Sequence, residues 1–286
     1  MKIDTLLIVG LGLLGGSVAR AARARGVAGK ITAWARPGRS QDEAQAAGIV
    51  DEWSHDLQAL CGAADLIVLA QPVESLRASL PEVLGSASRG AIVTDVGSTK
   101  GELVATAEEI SSQAFFVGSH PMAGSHLTGW QHSTADLFIN RTCFVTPTPR
   151  TSLEAAARVS TFWQSLGGRA VVVDPQRHDA LCALVSHIPH FTAVSLMQLI
   201  ADCGEDPTLL RALAANGFRD TTRVAMGDSA MWVEIARQNH REIAAGLRQL
   251  ADHINRVADE VESGDDALGG KLTRLAELRS EFQREA

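Results

Sequence analysis

The chain is expected to fold as an α/β protein, a mainly parallel sheet domain followed by an all-helical domain. Two observations carry that expectation. Short continuous apolar runs, such as residues 66–70 (LIVLA) and 91–95 (AIVTD), alternate with helically spaced segments through the first 174 residues. A run that is apolar at every position is a strand covered on both faces, the mark of a parallel sheet flanked by helices. After Asp174 no further strand candidate appears, and apolar residues recur at steps of three and four. With 286 residues, 45% of them apolar, the chain has material for two cores.

Residues 5–9 form a short apolar strand. Residues 13–25 have helical spacing, with Leu14, Val18, Ala21 and Ala22 on one side. A second strand covers 30–35, and a short helix covers 41–47, ending near Gly48. The strands at 66–70 and 91–95 follow, then 115–119 and 142–146. A helix over 152–166 leads to a last strand at 169–174. The boundary is therefore placed at residue 174, giving domains 1–174 and 175–286. In the second, Trp232, Ile235, Ile243, Leu247, Leu250, Ile254, Val257 and Val261 make a long stripe with one polar interruption at Asn239. A stripe of that length must be buried, against a partner subunit or against neighbouring helices.

Composition excludes several function classes. The formal net charge of −7 and the lack of a basic stripe argue against nucleic-acid binding. Cys61, Cys143, Cys182 and Cys203 are scattered without metal-ligand spacing, so reduced thiols, a cytoplasmic setting and no metal are expected. The N-terminal apolar run is cut by glycines and carries Asp4, so it reads as a buried strand and turn, not a signal peptide. No apolar run is expected to reach the length of a membrane span. The chain has no tyrosine, which rules out a dehydrogenase that uses a Tyr/Lys pair as its acid.

Gly10, Gly12 and Gly15 stand as GxGxxG between the first strand and the first helix. In that context the spacing points to a Rossmann-type dinucleotide-binding turn. Gly10 permits the turn, Gly12 lets a pyrophosphate approach, and Gly15 lets helix pack on strand. The helix start offers free N–H groups to the phosphates, at Leu13 and Leu14. At the end of the second strand the acidic residue typical of an NAD site is absent. Arg36, Arg39 and Ser40 stand there instead, which suits a 2′-phosphate and points to NADP over NAD. The plainer alternative is that the arginines stack on adenine or face solvent. Gln71 and Pro72, after the 66–70 strand, complete the expected cofactor set.

Further clusters hold polar residues that a packed core does not require. These are 95-DVGSTK-100, 118-GSHPMAGS-125, 186-SHIPH-190 and 217-GFRDTTR-223. Ser98 and His120 both fall just past strand ends, where doubly wound sheets bind ligands. Pro121 is expected to stop its strand and hold His120 at the mouth, out of the ladder.

These motifs, in this order and spacing, resemble the prephenate/arogenate dehydrogenase family of tyrosine biosynthesis, over nearly the whole chain. The resemblance implies a dinucleotide-binding domain followed by a helical substrate and dimerisation domain, in the stand-alone form without a fused mutase or regulatory domain. It implies a small-molecule substrate, a cyclohexadienol whose C4 gives hydride to a nicotinamide as carbon dioxide is lost. By the same resemblance His120 is the base and Ser98 a second partner of the substrate hydroxyl. Arg223 grips a carboxylate, Asp220 orients the local network, His190 meets the side-chain end, and Ser125 joins the substrate site. His187 is read as structural support. Ser125 and His126 stand where many relatives carry Thr or Ala and then Glu. His190 leans the substrate towards prephenate; the arginine-rich loop resembles NADP-using arogenate enzymes, and prephenate is placed first. A homodimer through the helical domain is expected. Two other classes compete: a β-hydroxyacid or pyrroline-carboxylate type reductase, which leaves the HPMAG stretch unexplained, and a nucleotide sensor without turnover, which predicts decay at Ser98, His120 or Arg223.

Overall fold

The computed structural model describes residues 3–37, 39, 41–124, 127–264 and 267–284. Ser40 and Ser125, both expected in the site, lie outside the described residues, as do Gly38 and His126.

Eight strands form one sheet in the order β3-β2-β1-β4-β5-β6-β7-β8. Strand β1 (Ile3–Val9) leads through helix α1 (Leu13–Ala24) to β2 (Ala28–Trp34). Helix α2 (Asp42–Ala46), strand β3 (Glu52–Ser54) and helix α3 (Leu57–Gly62) follow. Then come β4 (Leu66–Leu69), α4 (Val73–Ser86), β5 (Ile92–Asp95), α5 (Gly101–Glu109), β6 (Phe115–Pro121) and β7 (Thr142–Thr146). Helix α6 (Leu153–Ser165) and strand β8 (Arg169–Val172) complete the sheet half. Every pairing is parallel except that of β6 with β7. The order reverses between β1 and β4, a topological switch point where such sheets bind ligands. Leu6 to Val9 and Leu66 to Leu69 are wholly buried, as strands covered on both faces must be.

Strand β3 was not expected. It is a three-residue edge strand whose side chains are partly or fully exposed, so no apolar run announces it. A second correction concerns His120. Strand β6 does not stop at Ser119 but continues through Pro121, with His120 opposite Phe144 and Pro121 opposite Cys143 on β7. The proline fits because alternate N–H groups point to opposite sides. Met122 N donates to Thr142 O on the β7 side, and Ser119 N donates to the Asp95 carboxylate on the β5 side. The missing N–H of Pro121 thus falls on the β5 side, where backbone pairing has already ended at Val117. His120 is held by the ladder, not outside it.

The second half is helical: α7 (Pro175–Cys182), a π turn (Ala183–His187), α8 (Ile188–Asp202), α9 (Pro207–Leu213), α10 (Asn216–Thr222), a 3-10 turn (Arg223–Met226), α11 (Ser229–Gln238), α12 (His240–Ser263) and α13 (Ala267–Arg284). Asp174 caps α7 by accepting from the N–H groups of Gln176 and Arg177. The run Pro175–Asp202 is one continuous 28-residue helical stretch of mean hydropathy 1.5, long and apolar enough to cross a membrane by length and composition. That corrects the expectation of no such run. The polar SHIPH cluster interrupts the apolar pattern in the sequence, but the helix passes through it.

The π turn has a visible cause and a visible result. Pro189 lacks an N–H and would crowd the carbonyl four residues back in a regular helix, and the wider turn relieves this. In a regular helix of roughly 3.6 residues per turn, His187 would point away from His178, nine residues earlier. The π turn rotates less per residue and brings both rings inward, where each is almost fully buried.

Candidate active site

The glycine loop has the geometry its spacing requires. Gly10 has φ +104, and a Cβ there would sit 2.7 Å from the Ala70 carbonyl oxygen. A Cβ on Gly15 would sit 2.1 Å from Gly10 O, so only glycine lets α1 start against β1. At Gly12 a Cβ would meet nothing within 4 Å, so that backbone faces open space. Leu13 and Leu14 begin α1, whose first N–H groups have no helical partner. The space is a cleft of about 1140 Å³ lined by the glycine loop, Arg36, Arg39, Gln71 and Pro72 among others. These residues fit a dinucleotide. Both arginines are exposed on the cleft. Trp34, Asp42 and Glu43 also line it, so its charge is mixed.

The chemistry-bearing groups lie further along the sheet. Ser98 follows β5, and His120 is near the end of β6, two and three strands from β1. At roughly 4.8 Å per strand the glycine loop and His120 are separated by roughly 14 Å across the sheet.

His120 heads a hydrogen-bonded chain that crosses from one half to the other. Its Nδ1 lies 2.9 Å from His178 Nε2. His178 Nδ1 lies 2.8 Å from Asp179 Oδ1. The Asp179 carboxylate also accepts from the backbone N–H groups of Lys100, at 2.8 Å, and Gly101, at 2.7 Å. An ionised carboxylate only accepts, so His178 carries its hydrogen on Nδ1. When His178 is neutral its Nε2 is an acceptor, so His120 donates from Nδ1. The lone pair of a neutral His120 is then on Nε2. The chain therefore selects one tautomer of His120.

Burial, with lesser contributions from the charges of His178, Lys100 and His187, holds His120 well below its usual 6.5. It is a neutral imidazole at neutral pH. Lys100 and Asp95 form a wholly buried ion pair beneath it. Asp95 also accepts from Ser119 N and Gly97 N, which satisfies its remaining lone pairs.

A second cluster adjoins the first through Asn239, the interruption in the helical stripe. Its side chain donates to Asp179 O at 2.8 Å and lies 3.2 Å from His187 Nδ1. Burial pushes His187 down to about 4, with Asp179 opposing. His190 stacks on Trp232, centroids 3.6 Å apart and 7° from parallel. It is buried and held below its usual value by desolvation. Its Nδ1 has no hydrogen-bond partner among the described residues, an unmet need that a ligand would satisfy.

Two models of one family match nearly the whole chain: "Prephenate dehydrogenase, nucleotide-binding domain" over residues 18–172, and "Prephenate dehydrogenase, dimerization domain" over residues 174–276. The chain belongs to the prephenate dehydrogenase family. It is 31% identical over 274 residues to a prephenate dehydrogenase of Bacillus subtilis, covering 92% of this chain and 71% of that one. The structure of prephenate dehydrogenase from Aquifex aeolicus, solved with hydroxyphenyl propionate and NAD+, superposes with a TM-score of 0.90 at 29% identity, over 99% of both chains. That of Synechocystis arogenate dehydrogenase superposes at 0.84, also at 29% identity, over 98% of this chain and 99% of the other. As a member of the family the chain is an NAD(P)-dependent oxidoreductase.

Within this prephenate dehydrogenase fold, the sequence motifs meet unequally. Ser98 is partly buried and its hydroxyl has no partner among the described residues. Arg223 and Asp220 are exposed, and no hydrogen bond or ion pair joins them among the described residues. No network of the kind expected around Asp220 is formed among the described residues. Neither Ser98 nor His120 lines the glycine-loop cleft. His178 and Asp179 were missed altogether. Their signal was present as HD four residues after the helix-capping Asp174, but one sequence does not tell such a pair from an ordinary helical surface.

Proposed function

We propose that the chain is a prephenate dehydrogenase, converting prephenate to 4-hydroxyphenylpyruvate by oxidative decarboxylation, with domains 1–174 and 175–286 supplying cofactor and substrate sites. The observation that carries this reading is the relay from Asp179 through His178 to His120. A dinucleotide held by its pyrophosphate at the glycine loop would supply its nicotinamide as the hydride acceptor. Leu13, Leu14, Gln71 and Pro72 complete its pocket with Gly10, Gly12 and Gly15. His120 takes the proton of the substrate hydroxyl on Nε2, while its Nδ1–H stays shared with His178. Asp179 stabilises the charge that then spreads over the two rings. Because burial disfavours charged His120, the acquired proton is readily given up and the base resets. Ser98, with a free hydroxyl, serves as a second partner of the substrate oxygen. Arg223, exposed and unpaired, is free to take a carboxylate with its bidentate fork, and Asp220 lies three residues away to orient it. The unpartnered nitrogen of His190 receives the side-chain end; Ser125, outside the described residues, is assigned to the substrate site by the family resemblance alone.

Arg36, Arg39 and Ser40 favour NADP through the 2′-phosphate. The same loop favours the second reading, arogenate as substrate. A second copy pairs through the helical half, supported by the match to a dimerization domain and by exposed apolar residues along α12. Four unpaired thiols support a cytoplasmic setting. The polar groups of Pro175–Asp202 are bonded to β6, α5 and Asn239, which supports a helix of the folded chain over a membrane span.

Steady-state kinetics with prephenate and arogenate, each with NAD and NADP, tests all of this. A kcat/KM at least tenfold higher for prephenate is the expected result. Preference for arogenate selects the second reading. Cofactor binding without turnover of either substrate refutes both and leaves a nucleotide sensor.

A further inference from the structure

We propose that His120, His178 and Cys182 form a binding site for a thiophilic divalent cation, zinc in the first instance, and that its occupancy switches off the base. The sequence hides such a site, because His120 comes from β6 and the other two from α7. In the fold all three ligand atoms lie within 4.8 Å of one another. His120 Nδ1 is 2.9 Å from His178 Nε2. Cys182 Sγ is 3.3 Å from His178 Nε2 and 4.0 Å from His120 Nδ1. Tetrahedral zinc, with bonds of roughly 2.0–2.1 Å to nitrogen and 2.3 Å to sulfur, holds its ligands roughly 3.3–3.6 Å apart. Movements of about half an ångström seat the ion. Two imidazoles and one thiolate select a borderline-soft cation over magnesium or calcium. Asp179 on the outer nitrogen of His178 is the support that metal-bound histidines use to fix ring and tautomer. The nearby Lys100 is ion-paired with Asp95, which offsets part of its repulsion of a bound cation.

The consequence follows from the tautomer. In the relay, Nδ1 of His120 carries the hydrogen and Nε2 the lone pair. A cation bound at Nδ1 takes that hydrogen's place, and the neutral ring then carries its hydrogen on Nε2. The atom meant to accept the substrate's proton becomes a donor. Cys182 gives up its thiol proton as sulfur binds, so one proton is released per cation and no electron moves. The inhibitory half of this inference rests on His120 acting as the base; the binding half does not.

Cobalt(II) reads the site directly. Titrating the full chain, free of chelators, is expected to give a thiolate-to-cobalt charge-transfer band saturating at one equivalent. Cys182→Ser should abolish the band, whereas Cys203→Ser, at an exposed thiol, should retain it. Zinc should inhibit turnover, with an inhibition constant at least about tenfold weaker in Cys182→Ser. No band in the parent protein, or an unchanged band in Cys182→Ser, overturns the site. A cobalt site that forms while zinc leaves turnover undiminished overturns the switch. A protein inactive before any metal is added refutes the proposed function instead, and the cobalt spectra still decide the site.

Discussion

The two halves of the molecule bury themselves differently. In the sheet half, whole strands lie at zero exposure and two large apolar clusters flank the sheet. In the helical half, the buried apolar cluster consists of Ala183, Ile235 and Ile243. Ile254, Val257 and Val261 on α12 are 55%, 40% and 63% exposed, and Leu272 and Phe282 on α13 more than half. The first half completes its core from its own chain. The second saves its burial for polar groups at the junction, His178, Asp179, His187, His190 and Asn239, and leaves its apolar stripe for another surface. A helix that is apolar along one face is stable only once that face is covered.

The sharpest test of this division is at the junction. His120→Asn should lower kcat by roughly 10²–10⁴-fold while leaving cofactor affinity, a property of the sheet half, unchanged; equilibrium cofactor titration beside kinetics measures both. Removing one member of the buried ion pair, as in Lys100→Met, leaves Asp95 charged and unpaired. It should cost about 3–5 kcal/mol in denaturant unfolding, and a much smaller loss would mean the sheet half depends less on its polar core than its burial suggests. Ile254→Glu with Val257→Glu should halve the mass measured by light scattering while the sheet half keeps its cofactor affinity. Retention of full mass would place the partner face elsewhere.

Smaller effects separate the halves by pH and by cofactor. The folded chain holds His120, His187 and His190 below 6.5. The unfolded chain takes up protons first as pH falls, so stability should decline below about pH 6.5, by up to about 1.4 kcal/mol per unit for each histidine. His187→Asn should flatten that slope between about 6.5 and 4, which melting temperatures across pH would reveal. By the same sign, kcat/KM should stay level through pH 6.5 and fall only at more acidic values. Arg36→Ala with Arg39→Ala should lower the NADP to NAD preference by roughly tenfold and leave kcat alone.

How much was legible in the sequence follows the same division. The strands at 66–69 and 92–95 and the glycine loop are local signals, in which apolar runs and glycine spacing act on residues near them in the chain. The edge strand β3 was invisible because three half-exposed residues carry no pattern. The continuation of β6 through Pro121 was invisible because it depends on which side the missing N–H falls, and that is decided by the partner strands. The relay was invisible for a stronger reason. His120 and His178 are 58 residues apart, and Asp179 is 78 from Gly101; only the packing of α7 against β6 and α5 makes them neighbours. Asn239 could be seen as an oddity, but its purpose could not be read without Asp179 and His187 beside it.

The carboxylate of Asp179 has one more implication, for protein engineering. By accepting from Lys100 and Gly101 it serves as the N-terminal cap of α5, and through His178 it orients the His120 imidazole on β6. A chimaera that joined this sheet half to a relative's helical half at residue 174 would import the cap and the relay from a foreign sequence. A crossover placed after Cys182 keeps them native, and that is where the seam belongs.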